Sequence, residues 1–354
     1  MAIGLIYPCV VAHTHEVAVT DMCRTMVDRA RRFADDRLFA EASVTDMAAV
    51  PPTHLLDELR DHGFYGIFSP VRVGGSELPS TERHLVIEAF ASGCLTTTFI
   101  WQQHGAAAAA TAGCSGEAAR FAPDLAAGRL RAGVAFAHLL RSGPPSLVAT
   151  PAGDGWTLDG VAPYVTGWGH VDLVLVAARH DTQIVWVLVD GVATDSVSPA
   201  RLHLLAVDGS STHTVRFAGH RVPADRVVGT AELDEWLDGY RAGLRTNGSL
   251  ALGVADRARR LLGDGSFEEE LSQVRRRLDT ASVIELPEAR ADATILCVNV
   301  TSALLASCGG AAVIDAGHAQ RLAREAMFLL VQGQTRAIRD AQLRRLKEFD
   351  PAVG

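Results

Sequence analysis

This chain lacks a CxxC pair, a disulfide-like cysteine spacing and any Lys/Arg-rich run. Its six cysteines, Cys9, Cys23, Cys94, Cys114, Cys297 and Cys308, are scattered through 354 residues, which excludes a stapled secreted scaffold and predicts reduced thiols. Lys plus Arg number 33 against 41 Asp plus Glu, a net charge of −8, so nucleic acid and anionic membrane surfaces are poor partners. The apolar N-terminal run in MAIGLIYPCVVAHTHEV has no basic residues before it. No window approaches the roughly eighteen consecutive apolar residues of a membrane span, so a soluble, cytoplasmic protein is expected. His, Cys and carboxylate groups at metal-ligand spacing are missing, as are GxSxG and Walker elements, so neither a metal site nor a serine nucleophile is expected.

What the chain does have is 48% hydrophobic residues, enough to bury a sizeable core, arranged in two different periods. DMCRTMVDRARRFADD and THLLDELRDHGF carry apolar residues at helical spacing, with breaks at Pro51-Pro52, Gly74-Gly75 and Pro79. Residues 1–129 are therefore expected as a helical domain. Between 130 and 230 the pattern turns to alternating, β-branched runs such as WTLDGVAPYVT, DLVLVAARH and QIVWVLVD, which predict a small β barrel or sandwich. Helical periodicity returns over 231–354, as a C-terminal bundle. The fold class is α+β, in the order α, β, α.

Local stretches match in the same order. LRDHGFYGIFSPVRVGG (59–75), AGCSGEAARFAPDLAAGRLRAGVAF (112–136), VRFAGHRVPADRVVG (215–229), ALGVADRA (251–258) and CGGAAVIDAGHAQRLAREAMFLLVQGQT (308–335) together resemble the acyl-CoA dehydrogenase family. That resemblance implies a helical domain, a β domain and a helical bundle gripping FAD between them. It implies an acyl thioester substrate, hydride transfer from the β carbon to the flavin, and a carboxylate that removes the α proton.

The site residues that the resemblance implies show several departures. The carboxylate position falls on Gln332, followed by Gly333, and an amide has no useful proton affinity near neutral pH. Some relatives carry the base on the first helix after the β domain, where Tyr240 or Leu244 stands here and Asp238 is the nearby carboxylate. Tyr164, Val165 and Thr166 occupy the strand set against the flavin ring, with the Thr166 hydroxyl toward its N5 edge. Ala137 and His138 replace the family's Thr-Glu pair, and Arg141 and Ser142 stand in the loop that meets the flavin pyrophosphate. Gly309 and Gly310 keep a Gly-Gly segment that can approach the cofactor by backbone. Trp101, Gln103 and His104, in FIWQQHGA (99–106), fall where relatives line the acyl pocket, with His104 as a candidate proton shuttle. Arg245 falls near the thioester pocket, while Arg321, Arg324 and Glu325 are expected to form ion pairs within the bundle.

The segment DGSFEEELSQVRRRLD (264–279) lacks the Arg-x-Gln-Phe-Gly element that contacts FAD of a neighbouring subunit, so a homodimer is expected in place of the usual tetramer. The expected function is a flavoprotein oxidoreductase with a non-standard base, acting on the CH–CH group of an acyl thioester or a carrier-bound relative of one. FAD is the expected cofactor, with FMN open, and an electron acceptor or flavin reductase is an expected partner. A flavin-dependent monooxygenase of the same fold and a non-redox binding module are the alternatives.

Overall fold

The computed structural model describes residues 16–313 and 317–347. Six helices come first: α1 (Glu16–Phe33), α2 (Phe39–Asp46), α3 (Thr53–Asp61), α4 (Ser80–Gly93), α5 (Leu95–Gly113) and α6 (Ala122–Ala126). A π-helical turn, Ala34–Leu38, joins α1 to α2. Pro52 and Pro79 stand immediately before α3 and α4, where a missing backbone N–H costs nothing. The extended backbone of Cys94 separates α4 from α5, and Thr98 Oγ1 donates to its carbonyl at 2.7 Å. Gly93 is required where α4 passes the π turn, because a Cβ there would lie 2.7 Å from the Ala34 carbonyl oxygen.

Eight strands follow: β1 (Ala132–Ala135), β2 (Leu147–Ala152), β3 (Gly155–Val165), β4 (Leu173–His180), β5 (Gln183–Asp190), β6 (Val197–Arg201), β7 (His213–Val222) and β8 (Val227–Glu232). Hydrogen bonding links them in the order β6-β7-β3-β2-β4-β5-β8, with β1 parallel to β4. β2 joins β4 through the single pair Val148 and Arg179, so the sheet opens there into two halves. Strand alternation then sorts the side chains. Val174, Val176, Val185 and Val187 fill a core belonging to the sheet itself. Leu173, Leu175, Ile184, Trp186 and Leu188 face the other way and merge with the helical core. Both faces are buried, and for this reason these two strands read as near-continuous apolar runs.

The remaining helices are α7 (Leu233–Ala242), α8 (Leu244–Leu262), α9 (Glu268–Thr280), α10 (Leu286–Cys308), α11 (His318–Val331) and α12 (Arg336–Lys347). Helix α10 packs on α8, α11 and α12 through Ala289, Ala293, Leu296, Cys297, Val300 and Leu304. Residues Leu286–Ala312, with a mean hydropathy of 1.7, are long and apolar enough to cross a membrane by length and composition alone, although polar residues such as Asn299, Thr301 and Ser302 interrupt the apolar run. Arg321 pairs with Glu325 at 2.5 Å, wholly buried, and Arg324 reaches Asp46 at 2.5 Å, tying α11 to α2. Burial pushes the Glu325 carboxyl up to about 7, against the pull of Arg321.

Candidate functional site

Helix α11 stops at Val331 because Gln332 turns extended and Gly333 takes φ +60°, a left-handed conformation that favours glycine. The chain re-enters helix at α12, where Thr335 Oγ1 accepts from the Ile338 N–H at 3.3 Å. This turn lies against α7 and α8. The Tyr240 hydroxyl donates to the Gly333 carbonyl at 3.1 Å, and a Cβ on Gly333 would lie 3.1 Å from Asn247 Nδ2. Asn247 Oδ1 in turn accepts from Gln102 Nε2 of α5 at 3.3 Å. Gln332 Oε1 and Gln102 Oε1 are both buried without a partner, which marks these amides as acceptors still available to a ligand.

Tyr240 also forms part of the wall of a cleft of about 400 Å³ whose lining includes Leu140, Leu237, Pro287, Thr335 and Arg336. The cleft therefore joins the turn after β1 to the start of α12. Behind it, Phe136, Trp186, Trp236 and Tyr240 form an aromatic wall, with ring centroids 5.4 Å apart for Phe136 and Trp236 and 5.5 Å for Trp236 and Tyr240. Such edge-to-face and tilted contacts hold α7 rigidly against the sheet.

Residues 20–129 match the family described as acyl-CoA dehydrogenase, N-terminal domain. The 3-sulfinopropanoyl-CoA desulfinase of Advenella mimigardefordensis is 27% identical over 282 residues, covering 72% of this chain and 66% of that protein. The benzylmalonyl-CoA dehydrogenase of Aromatoleum aromaticum is 26% identical over 251 residues, covering 67% of this chain and 66% of that protein. The butyryl-CoA dehydrogenase structure from Megasphaera elsdenii superimposes with a TM-score of 0.74 at 17% identity, over 96% of this chain and 100% of that one. Residues 20–129 carry the N-terminal domain of acyl-CoA dehydrogenases, and the chain has the fold of those enzymes. It spans about two thirds of the length of the curated relatives it matches.

Acyl-CoA dehydrogenases generally bind FAD, and the positions that the sequence sets against a flavin are placed as follows. Tyr164 holds φ +59°, unusual for a residue with a Cβ, and leaves its ring 49% exposed beneath the Arg141 guanidinium, 5.5 Å from the centroid. Ser142 is exposed next to it. His138, buried, donates from Nε2 to the Ala177 carbonyl, 2.8 Å away, which places the N–H there and leaves Nδ1 buried as a partnerless acceptor. Burial pushes its pKa down to about 4, so it stays neutral. Thr166 is buried and shares a hydrogen bond with Thr212 at 3.2 Å, while Val165 points into the sheet core.

Other acyl-CoA dehydrogenase positions read from the sequence have structural employment instead. His104 binds the Leu125 carbonyl through Nε2 at 2.9 Å and accepts the Ala132 N–H on Nδ1 at 3.1 Å. Neither nitrogen is left to shuttle a proton. Trp101 is fully buried between Phe68 and Phe90, each at 4.9 Å, and is core rather than pocket lining. Gln103 is half-buried, and its neighbour Gln102 makes the contact to Asn247. Arg245 is buried and committed to Glu88 at 3.1 Å, Asp279 at 2.6 Å and Ser249 at 2.8 Å, so no donor pair is free for a substrate carboxylate. Asp238 is exposed and paired with Arg241, a surface arrangement with no reason to act as a base. Gly309 and Gly310 are exposed, with no atom within 4 Å of a would-be Cβ among the described residues.

Sequence reasoning missed Asn247 and Arg290. Arg290 is 2% exposed, with Nη2 donating to the Leu329 carbonyl at 3.2 Å and Nη1 unpartnered. An arginine among helical residues reads as surface, so only the packing reveals it.

Proposed function

We propose that this protein is a flavin-dependent oxidoreductase acting on the CH–CH group of an acyl thioester, in which Gln332 orients the substrate and another group removes the proton. The observation that carries this reading is the unpartnered, buried Gln332 Oε1 beside Gly333, in a turn that Tyr240 ties to the cleft wall. FAD, when bound, supplies a hydride acceptor. Tyr164, Arg141 and Ser142 would hold its ring and pyrophosphate, with Arg336 at the cleft mouth offering a second cation. The aromatic wall excludes water from one side.

The names of the two relatives describe acyl groups carrying a second acidic function, sulfino in one and carboxyl in the other. A substrate of that kind suits this chain too. The side chain of Arg83, half-buried at the start of α4, makes no ion pair or hydrogen bond among the described residues, and burial lowers its pKa. Exposed Met327, Val331, Leu343 and Leu346 on α11 and α12 support a homodimer.

A second reading, a monooxygenase of the same fold fed by a reductase, is favoured by Gln332 itself, since such chemistry needs no α-proton base. Visible spectra of the purified protein before and after FAD or FMN test the shared premise, and failure to bind either flavin would leave only a non-redox binding role. Bleaching of the flavin by an acyl-CoA without oxygen supports dehydrogenation; oxygen consumption by reduced flavin without such bleaching supports the second reading.

A further inference from the structure

His138 carries an acceptor that no other group in the described residues uses. Its Nε2 lies 2.8 Å from the Ala177 carbonyl, which has no proton to give, so the single N–H of the neutral ring is fixed on Nε2. Burial pushes the pKa down to about 4 and keeps the ring neutral near pH 7. Nδ1 is then a bare lone pair, buried and without a partner, on a residue that is 6% exposed. A hidden acceptor of this kind costs stability until a donor reaches it.

The other side chains on the turn after β1 border the cleft or the positions set against a flavin. Phe136 belongs to the aromatic wall, Leu140 lines the cleft, and Arg141 lies over the exposed Tyr164 ring. The Leu139 N–H donates to the Phe136 carbonyl at 2.9 Å and the Arg141 N–H to the His138 carbonyl at 3.2 Å. Those bonds hold the turn closed, so neither N–H is free to swing in and satisfy Nδ1. The missing donor therefore belongs to a bound molecule.

A flavin fits that need, and its chemistry narrows the choice to one atom. The oxidised ring system presents acceptors at N1, O2, O4 and N5 but a single donor, the imide N3–H. We infer that His138 Nδ1 accepts the N3–H of the bound flavin, so that His138 is the side chain that reads the imide edge of the ring. The inference rests on the flavin reading above. Ala137 and His138 stand where acyl-CoA dehydrogenases have a Thr-Glu pair, so this contact is the chain's own. No covalent bond is made or broken: the proton stays on N3, the imidazole orients the ring, and the Ala177 carbonyl keeps the imidazole in the accepting tautomer.

The test compares FAD with 3-methyl-FAD, in which a methyl group replaces the N3 proton, by fluorescence titration of the purified full chain. The wild type should bind FAD about tenfold or more tightly than 3-methyl-FAD. In His138→Leu, which removes the acceptor, FAD affinity should fall about tenfold and the two flavins should bind within about twofold of each other. Equal affinities in the wild type overturn the inference, because a water or a ribityl hydroxyl then fills the place at Nδ1. A preference that survives in His138→Leu overturns it as well, since the methyl group is then rejected by crowding elsewhere. Should His138→Leu fail to fold, 15N NMR of the histidine-labelled wild type decides: saturating FAD, and not saturating 3-methyl-FAD, should move one bare imidazole nitrogen to its hydrogen-bonded shift. The absence of that change overturns the inference. Binding of neither flavin overturns the flavin reading and this inference with it, whereas equal binding of both overturns this inference alone.

Discussion

Tyr240 Oη and Gly333 meet twice: the hydroxyl donates to the Gly333 carbonyl at 3.1 Å, and it lies 3.0 Å from the point where a Cβ on that glycine would stand. Gly333→Ala should therefore suffer both from φ +60° and from crowding by Tyr240 and Asn247. The expected cost is about 2 kcal/mol, read as a lower midpoint in urea unfolding. An unchanged midpoint would mean that the turn rearranges freely.

His104 fixes α5 to the loop after α6 and to β1 through two backbone hydrogen bonds. His104→Ala leaves a buried carbonyl and a buried N–H unpaired, at a cost of about 2 kcal/mol or more. The same denaturation experiment measures this. If His104→Ala instead abolishes turnover while leaving stability and flavin binding untouched, the structural assignment of His104 is wrong.

Arg245→Ala should cost about 3 kcal/mol, because it strips Glu88 of a partner in a buried network. The loss sits at the low end of the usual range, since Arg275 still holds Glu88 at 2.8 Å. Substrate KM in the surviving protein should be little changed, which calorimetric stability and steady-state kinetics together would check.

Stability should fall as the pH drops from 7 toward 4. Burial depresses His84 to about 3, and His104, His138 and His318 each to about 4, below the ordinary value near 6.5. The unfolded chain takes up these protons near pH 6.5 and the folded one resists, so the stabilisation is complete above that value and is lost through the window below it. Glu325, raised to about 7, works in the opposite sense, but it is one group against four. Urea midpoints at pH 7.5, 6 and 5 would show the trend, and a flat profile would contradict it.

Gln332→Glu places a carboxylate where the amide oxygen is now buried and unpartnered. Anaerobic flavin reduction by an acyl-CoA should quicken at least tenfold. No gain, in a variant that folds and binds flavin, would show that the cleft is not laid out for dehydrogenation of a thioester.

The order of helices, sheet and helices was legible because each element carries its period in its own residues. Helical spacing in THLLDELRDHGF gives α3, and alternation in DLVLVAARH gives β4, without reference to distant contacts. Arg321 and Glu325, four residues apart on one helix, likewise announce their pair. The turn at Gln332-Gly333 was not legible from spacing: the helical period runs on through HAQRLAREAMFLLVQGQTRAIRDAQLRRLKEF, and only the left-handed φ of Gly333 breaks it.

Long-range contacts were not legible in this way. Nothing local tells His104 from a proton shuttle; that is decided by Leu125 and Ala132, which arrive from other elements. Arg245 reads as a substrate ligand until Glu88 and Asp279 close on it. Arg290 reads as a surface charge until α8, α11 and α12 pack around its helix. The sequence by itself determined the secondary structure, the family resemblance and the loss of the carboxylate at Gln332, because these depend on residue type and spacing along the chain. Only the tertiary structure decided which polar side chains are satisfied and which are left open, because desolvation and hydrogen bonding are set by neighbours far apart in sequence.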